Sequence, residues 1–251
     1  MGKSEFLNIL WQNDDALSIS KPAGLATIPG RAETDSALER IAAQLNLPAT
    51  GSLDPRIRVV HRLDKETSGV LLFARHSSAQ RHLSHQFQNN AVSKEYLALV
   101  CGRPAAGEGD IDAPLGPHPG NPLKMTVLRH GGRPARTLWR VEEQYRDYAL
   151  LRVFPKTGKT HQIRVHLQSI GLPLAVDTLY NPDVGEGVFL STFKRGYRSK
   201  PGDPERPLIG RLTLHAEQIR FADMSGNPVD VRSELPKDFR ATLTMLRKYG
   251  S

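Results

Sequence analysis

The sequence predicts an α+β fold: a mixed, largely antiparallel sheet with flanking helices. Three observations carry that expectation. Strand-like runs outnumber helical stretches. Two pairs of runs face each other across short polar turns, as hairpins do. The connections between elements are mixed in kind rather than repeating one unit.

The elements follow in order. Residues 9–11 and 17–20 flank an Asn-Asp-Asp turn and read as a short hairpin. Lys21-Pro22-Ala23-Gly24 then breaks the strand. The spacing of Leu38, Ile41 and Leu45 predicts a helix over 34–46, and residues 48–55 read as a loop. Residues 57–60 and 70–74 are short apolar strands. A helix over 77–89 places Ala79, Leu83 and Phe87 on one stripe, and 94–100 reads as a strand. Residues 136–145 and 148–154 form a second hairpin around Arg146-Asp147. A helix over 160–170 is closed by Gly171. Residues 181–210 are rich in Gly and Pro and read as a long loop. Strands at 212–222 and 229–232 and a helix at 237–248 complete the chain. The whole is expected to be one domain, 1–251, with the basic insertion near 181–210.

Composition narrows the classes of function. At 251 residues, 39% hydrophobic and 24% charged, the chain can bury a core, and global disorder is not expected. The formal charge of +8 suits a polyanionic partner, although a soluble protein can also simply be basic. Cys101 is the single cysteine, so neither an intramolecular disulfide nor a cysteine zinc cluster can form. His82 and His85 lie in a polar helical stretch and read as surface residues, so no metal site is expected. No run of about 18 apolar residues is present, and no signal-peptide pattern is read at the N-terminus. The expectation is a cytoplasmic monomer with no membrane contact.

Three elements hold residues that chemistry would use. His61-Arg62-Leu63-Asp64-Lys65-Glu66-Thr67-Ser68-Gly69 is a polar segment between two apolar strands, a place where loops hold reactive groups on a rigid frame. Taken alone, Asp64 reads first as a turn residue whose carboxylate caps the amides near Thr67. In the helix over 160–170, Ile163, Leu167 and Ile170 form one apolar face, and His161, Arg164 and Gln168 cluster on another. Arg164 stands at the margin, where a partly buried guanidinium needs an anion; Asp64 is a candidate, and a solvent-facing Arg164 is the alternative. Alternation puts Tyr96 opposite Leu97 and Leu99, as either a sheet tyrosine or a platform for a base.

His61-Arg62-Leu63-Asp64 followed by Thr67-Ser68-Gly69 closely resembles the signature of RluA-type RNA pseudouridine synthases. Lys21-Pro22-Ala23-Gly24, Ser93-Lys94-Glu95-Tyr96, Thr160-His161-Gln162-Ile163-Arg164-Val165-His166 and Leu214-His215-Ala216 resemble the same family in the same order. The resemblance covers roughly residues 8 to 235. Three departures stand out. Many members carry a small ribosomal-protein-like RNA-binding domain ahead of the catalytic part, whereas this sequence is expected to start almost at the catalytic domain. Lys159 stands where Arg is usual, and Val176 replaces a usual Gly.

The resemblance implies conversion of uridine to pseudouridine in ribosomal or transfer RNA, without a cofactor, in a central RNA-binding cleft. It implies Asp64 as the catalytic carboxylate, acting at ribose carbon 1′ or carbon 2′. Tyr96 would stack on the flipped uracil, Arg164 would accompany Asp64, and Arg62 would fill the vacated place or hold the neighbouring backbone. Two basic stretches read as RNA-backbone contacts or as solvated faces. One is Lys124, Arg129, Arg133, Arg136 and Arg140. The other is Lys194, Arg195, Arg198 and Lys200, interleaved with Phe189, Phe193 and Tyr197. Two rival readings stay open: a non-catalytic RNA-binding factor, which has no use for the trio Asp64, Tyr96 and Arg164 together, and a nucleoside-cleaving hydrolase, which lacks an evident second carboxylate beside the motif.

Overall fold

The computed structural model describes residues 6–30, 34–49, 51–52, 54–184, 186–198 and 202–251. Twelve strands and four helices follow in chain order among the described residues. They are β1 (Asn8–Gln12), β2 (Ala16–Lys21), α1 (Ala37–Gln44), β3 (Arg58–Val59), β4 (Ser68–Ala74) and α2 (Ser77–Gln88). Next come β5 (Ser93–Cys101), β6 (Glu108–Asp112), β7 (Leu115–His118), β8 (Asn121–Val127), β9 (Arg136–Gln144), β10 (Tyr148–Pro155) and α3 (Gln162–Ser169). Last are β11 (Leu214–Ala222), β12 (Pro228–Arg232) and α4 (Lys237–Tyr249). The α+β class is as expected. The chain divides into two compact units: the chain through Lys94 with Ala216–Glu234, and Glu95–His215 with Leu235–Ser251.

In the first unit, β1 and β2 form the expected hairpin, its turn closed by Asn13, whose Oδ1 accepts the N–H groups of Asp15 and Ala16 at 2.9 Å each. β2 pairs with β4 antiparallel from Ala16↔Ala74 to Lys21↔Gly69. Every residue of β4 is buried, which is why it reads as a continuous apolar run. Val70, Leu72 and Ala74 pack with Ala79 and Leu83 of α2 and with Ile219 and Phe221 of β11. His76 caps α2 by accepting the Ala79 N–H, and Ser36 caps α1 by accepting that of Glu39. The helix expected over 34–46 is therefore shorter, because Ser36 stops it at its N-terminus.

In the second unit the strand order is β5-β10-β9-β6, each neighbour antiparallel. Alternation along β5 sorts its side chains onto two cores. Leu97 and Leu99 join Leu150 and the α4 residues Phe239, Leu243 and Leu246. Ala98 and Val100 join Leu151, Val153 and the α3 residues Ile163 and Leu167, with Tyr96 packed at the edge.

The segment 181–210 is not the plain loop expected. It holds two 3-10 turns, Pro182–Val184 and Leu190–Thr192, and a bridge between Val188 and Ile209. Val188, Phe193 and Ile209 are core residues, and that burial ties the segment down. Helix α3 begins at Gln162, not at residue 160, because His161 sits in the left-handed region (φ 55°) and provides no side-chain cap. Ile170, expected on the apolar face of that helix, is 41% exposed, since the helix ends before it.

One close approach governs the start of β4. Gly69 has φ +121°, and a Cβ built on it would lie 2.1 Å from the Ala216 carbonyl oxygen. Gly69→Ala is expected to destabilise the protein by roughly 3 kcal/mol, from backbone strain and overpacking together. Urea denaturation measures this; a loss below about 0.5 kcal/mol, the scale of a neutral surface change, would show that β4 and Ala216 can part at little cost.

Candidate active site

The segment His61–Gly69 enters β4 through a tight turn, in which Thr67 donates its N–H to the Asp64 carbonyl at 3.1 Å. The main chain thus closes the turn. Asp64 itself is half-buried and Arg62 is exposed.

The turn is held from below by the stretch that follows β2. Lys21 is 0% exposed, and its Nζ donates to the carbonyls of Pro22, Leu25 and Lys65 at 2.8, 2.8 and 2.9 Å. Gly24 adds its N–H to the Lys65 carbonyl at 3.0 Å, and its φ of +80° suits glycine at that bend. Thr27, 3% exposed, grips the residue before Asp64 at both ends: its hydroxyl donates to the Leu63 carbonyl at 2.9 Å and accepts the Leu63 N–H at 3.1 Å. Leu63 is buried. The residues flanking Asp64 on both sides are therefore fixed through their main chain, which is how a carboxylate is aimed.

His61 anchors the upstream end. Its Nε2 accepts the Leu72 N–H at 3.0 Å, and its ring stacks on Phe87 with centroids 4.6 Å apart and an interplanar angle of 16°. Burial, with the Lys94 charge adding to it, holds its pKa down to about 3. An imidazole that accepts at Nε2 must be neutral with its proton on Nδ1. This histidine is a strut, not an acid or base.

In the second unit, Arg164 lies on α3 and is 7% exposed. Its guanidinium forms a fork with Asp177, Nε to Oδ2 and Nη2 to Oδ1, both 2.7 Å. Asp177 is 2% exposed, and its Oδ1 also accepts the N–H groups of Leu179 and Tyr180 at 3.0 and 3.1 Å. The Tyr180 ring lies under the guanidinium, 4.9 Å from its carbon. The Tyr180 hydroxyl accepts the Met125 N–H of β8 at 2.8 Å and stands 2.9 Å from His161 Nδ1. Arg164 is thus buried rather than solvent-facing, and it is forked to Asp177, thirteen residues on in sequence.

The rest of the polar run on α3 serves the frame. Gln162 donates to the Arg136 carbonyl and the Thr137 hydroxyl at 3.0 and 2.9 Å, and accepts the Lys159 N–H at 3.0 Å. His166 is fully buried; Thr137 lies 2.8 Å from its Nδ1, and its Nε2 donates to the Ala113 carbonyl at 3.0 Å. Burial lowers its pKa. Tyr96 sits on β5 opposite Val153, half-buried on the same core as Ile163 and Leu167, so the fold brings Tyr96 and α3 to one face of the sheet.

The basic stretches are corrected in part. Arg136 is clasped by Asp110 of β6 with Nη2–Oδ2 at 2.7 Å, and Arg140 is paired with Glu142 at 2.9 Å. The acid-free run meets acids outside it, Asp110 across the β6–β9 pair and Glu142 further along β9 itself, so those two arginines are less open to a phosphate than Lys124, Arg129 and Arg133; among the described residues these three make no ion pair. Phe193 is a core residue, 2% exposed, and edge-on to Tyr148. Lys200 lies outside the described residues. His82 is half-buried, not on the open surface; it stands 3.3 Å from the Ala222 carbonyl and 2.9 Å from the Gln86 amide.

The depressed His61 pKa carries a sign. Between about pH 6.5 and about pH 3 the unfolded chain binds a proton here that the folded chain does not, so stability from this residue falls as pH falls through that window. His61→Gln is expected to flatten the loss between pH 6 and 4 by up to about 1 kcal/mol per pH unit relative to wild type. Denaturant melts of both proteins across that range measure the difference; parallel stability curves would mean that His61 is protonated in the fold.

Comparison with known proteins agrees with the geometry. A family model described as RNA pseudouridylate synthase matches residues 15–169. The ribosomal large subunit pseudouridine synthase D of Nitrosomonas europaea is 39% identical over 245 residues, covering 96% of this chain and 65% of that protein. The protein of the same name from Xanthomonas campestris is 37% identical over 247 residues, covering 96% and 70%. An uncharacterized RNA pseudouridine synthase of Chloroflexus aurantiacus is 43% identical over 235 residues, covering 92% and 67%. The chain thus spans about two thirds of the length of these relatives. Among solved structures, human RNA pseudouridylate synthase domain containing 4 superposes with a TM-score of 0.68 at 26% identity, covering 96% of this chain and 93% of that one. Human RNA pseudouridylate synthase domain containing 1 shares the fold, with a TM-score of 0.71 at 23% identity over 94% and 86%. The matched stretch takes in the Asp64 turn, Tyr96 on β5 and Arg164 on α3 alike, and the chain belongs to the RNA pseudouridine synthase family.

Proposed function

We propose that this chain isomerises uridine to pseudouridine in structured RNA, with Asp64 as the catalytic carboxylate. The observation that carries this reading is the turn from Leu63 to Lys65, held on both sides of Asp64 by Thr27 and by the buried Lys21. The bond between ribose carbon 1′ and the ring nitrogen breaks, the uracil turns, and carbon 5 bonds to carbon 1′. The carbon 5 proton is then lost as the ring nitrogen regains one. Atoms balance without a donor or an oxidant, so the reaction calls for no cofactor and no metal.

A stacked uridine must leave its stack to meet a carboxylate held in this way. Flipping costs a few kcal/mol, offset by contacts in the pocket. Tyr96 stacks on the flipped uracil, Arg164 steadies negative charge near the reacting nucleotide, and the exposed Arg62 takes the place the base vacates or holds the adjoining backbone. Asp64 either attacks carbon 1′ or removes the carbon 2′ proton; both routes use its ionised form.

The substrate we infer is large-subunit ribosomal RNA, from the printed names of the Nitrosomonas and Xanthomonas relatives. Transfer RNA is the other candidate. A stem-loop with an unstacked uridine suits an enzyme that must extract the base. The two units act as a single catalytic domain in a monomer, working in the cytoplasm where such RNA is found. No helix among the described residues is long and apolar enough to cross a membrane.

Tritium release from RNA labelled at uracil carbon 5 tests the reaction. Asp64→Asn is expected to lower it by about 10³-fold or more. Tyr96→Leu should slow it by roughly 10- to 100-fold, the worth of one stacked base. Release of free uracil in place of pseudouridine would turn the assignment to a hydrolase, and an active Asp64→Asn would remove Asp64 from the chemistry.

Thr27→Val keeps the side-chain shape and removes both bonds to Leu63. It is expected to lower kcat by about tenfold or more through misaiming of Asp64, with the Kd for RNA unchanged. An equal loss in RNA affinity, or no loss in kcat, would mean that the Thr27 clamp does not aim the carboxylate.

A further inference from the structure

We propose that the 194–198 stretch and the C-terminal end of α4 form one phosphate-binding surface, built on Lys194 and Lys248, that anchors the RNA backbone. It rests on the reading of RNA as the partner.

Several arginines are already matched to carboxylates, while Lys124, Arg129 and Arg133 on the other basic stretch make no ion pair among the described residues. In the second unit, Arg136 is matched to Asp110, Arg164 to Asp177, Arg211 to Asp238 and Arg247 to Glu143. Lys194, Arg195, Arg198 and Lys248 likewise make no ion pair with an acid among the described residues.

Two of these charges are gathered rather than spread. The Lys194 ammonium lies 4.7 Å from the centre of the Tyr249 ring, and the Lys248 ammonium lies 5.1 Å from the same centre. Lys194 also lies 5.7 Å from the Tyr197 ring. Two ammonium groups that share one aromatic ring repel each other, and the ring face offsets only part of that. Both lysines act on the Tyr249 hydroxyl, whose pKa is lowered first by a hydrogen bond from Lys248 and then by the Lys194 and Lys248 charges. Arg195 and Arg198 are exposed beside Lys194. A phosphate bridging the two ammoniums would relieve the repulsion and use groups already positioned.

The surface is anchored from behind, so the charges need not be ordered on binding. Phe193, next to Lys194, is a core residue packed with Phe239, Leu243 and Leu246 of α4. Burial of Phe193 is what brings the loop lysine to the end of α4. The basic stretch noted in the sequence therefore has a partner that sequence proximity does not show, Lys248, more than fifty residues on.

The double variant Lys194→Gln/Lys248→Gln tests this with an in-vitro transcript of large-subunit ribosomal RNA. The Kd is measured from low to moderate salt, alongside pseudouridine formation at saturating RNA. The slope of log K against log salt is expected to become shallower by about 1.5–2, with Kd raised roughly tenfold. The turnover rate at saturation should stay at the wild-type value. Lys194→Arg/Lys248→Arg, which keeps both charges, should keep the slope. An unchanged slope in the glutamine variant overturns the proposal. So does an equal change in Lys237→Gln/Arg103→Gln, two neutralisations placed elsewhere on the same unit, because that would mark a general effect of net charge. The readout is binding, so a wild type that binds the transcript without making pseudouridine would sink the reaction assigned above, while the slope still decides the surface.

Discussion

The Asp64 turn depends on a buried ammonium. Lys21 is wholly enclosed, and taking a charge out of water costs several kcal/mol before any partner is counted. Carbonyls of Pro22, Leu25 and Lys65 take its protons. A lysine suits this post because its three protons point in separate directions from one atom, while the planar guanidinium of arginine spreads its donors in a fork. Two of the acceptors belong to the stretch just after Lys21 and the third to the residue after Asp64. The ammonium therefore ties a local bend to a turn forty-four residues away. Removing it would take the shared donor from all three carbonyls and would loosen both segments together.

The second unit repeats the logic with opposite components. Arg164 and Asp177 form a buried ion pair, which is weak evidence of net stability because desolvation opposes the attraction. Its worth lies in geometry. Asp177 is fixed by two main-chain N–H groups, the guanidinium is fixed by the fork, and Tyr180 supports it from one face while its hydroxyl holds β8. A chain of contacts this well satisfied admits one arrangement of α3 against the β7–β8 hairpin. The neighbouring set of Gln162, Thr137 and His166 does the same for α3 against β9.

Much of this was legible in the sequence, and the exceptions have physical causes. Helices α2 and α4 and strands β4, β5, β9 and β10 announce themselves through apolar periodicity, because each buries one face or two. Strands β6, β7 and β8 were not foreseen. Gly107, Gly109, Gly116, Pro117 and Pro122 interrupt the alternation there, and burial is partial, so no pattern survives. Gly109 is needed in β6 because the Trp139 ring fills the space where its side chain would be, with a Cβ reaching 2.6 Å from that ring. The sequence reading starts this helix at Thr160, after the turn over 155–159, whereas the left-handed His161 sets the boundary. At the site, Asp64 on its own could not be told from a turn residue; only the linked motifs raised it above that. Asp177 and Thr27 went unseen as partners because hydrogen bonds across many residues leave no spacing rule in a single sequence. Phe193 is interleaved with the basic residues of its stretch, and only its packing shows it to be core.

These frames bear on why one carboxylate can do the work proposed for Asp64. A glycosidase must protonate a leaving group or activate a water, and a second carboxylate serves that need. An isomerase that keeps its own leaving group has no such need, but it meets a stricter one. The detached uracil must rotate and rebind before water reaches carbon 1′, so the competition is decided by position and by exclusion of water rather than by a second acid or base. A carboxylate on a loosely held loop would sample positions that favour hydrolysis. Main-chain bonds to Leu63 and Lys65 remove that freedom at the backbone on both sides of Asp64. The neutral His61 at the other end of the turn fits the same demand: an imidazole locked as an acceptor from Leu72 lends stiffness and brings no proton of its own to the reaction.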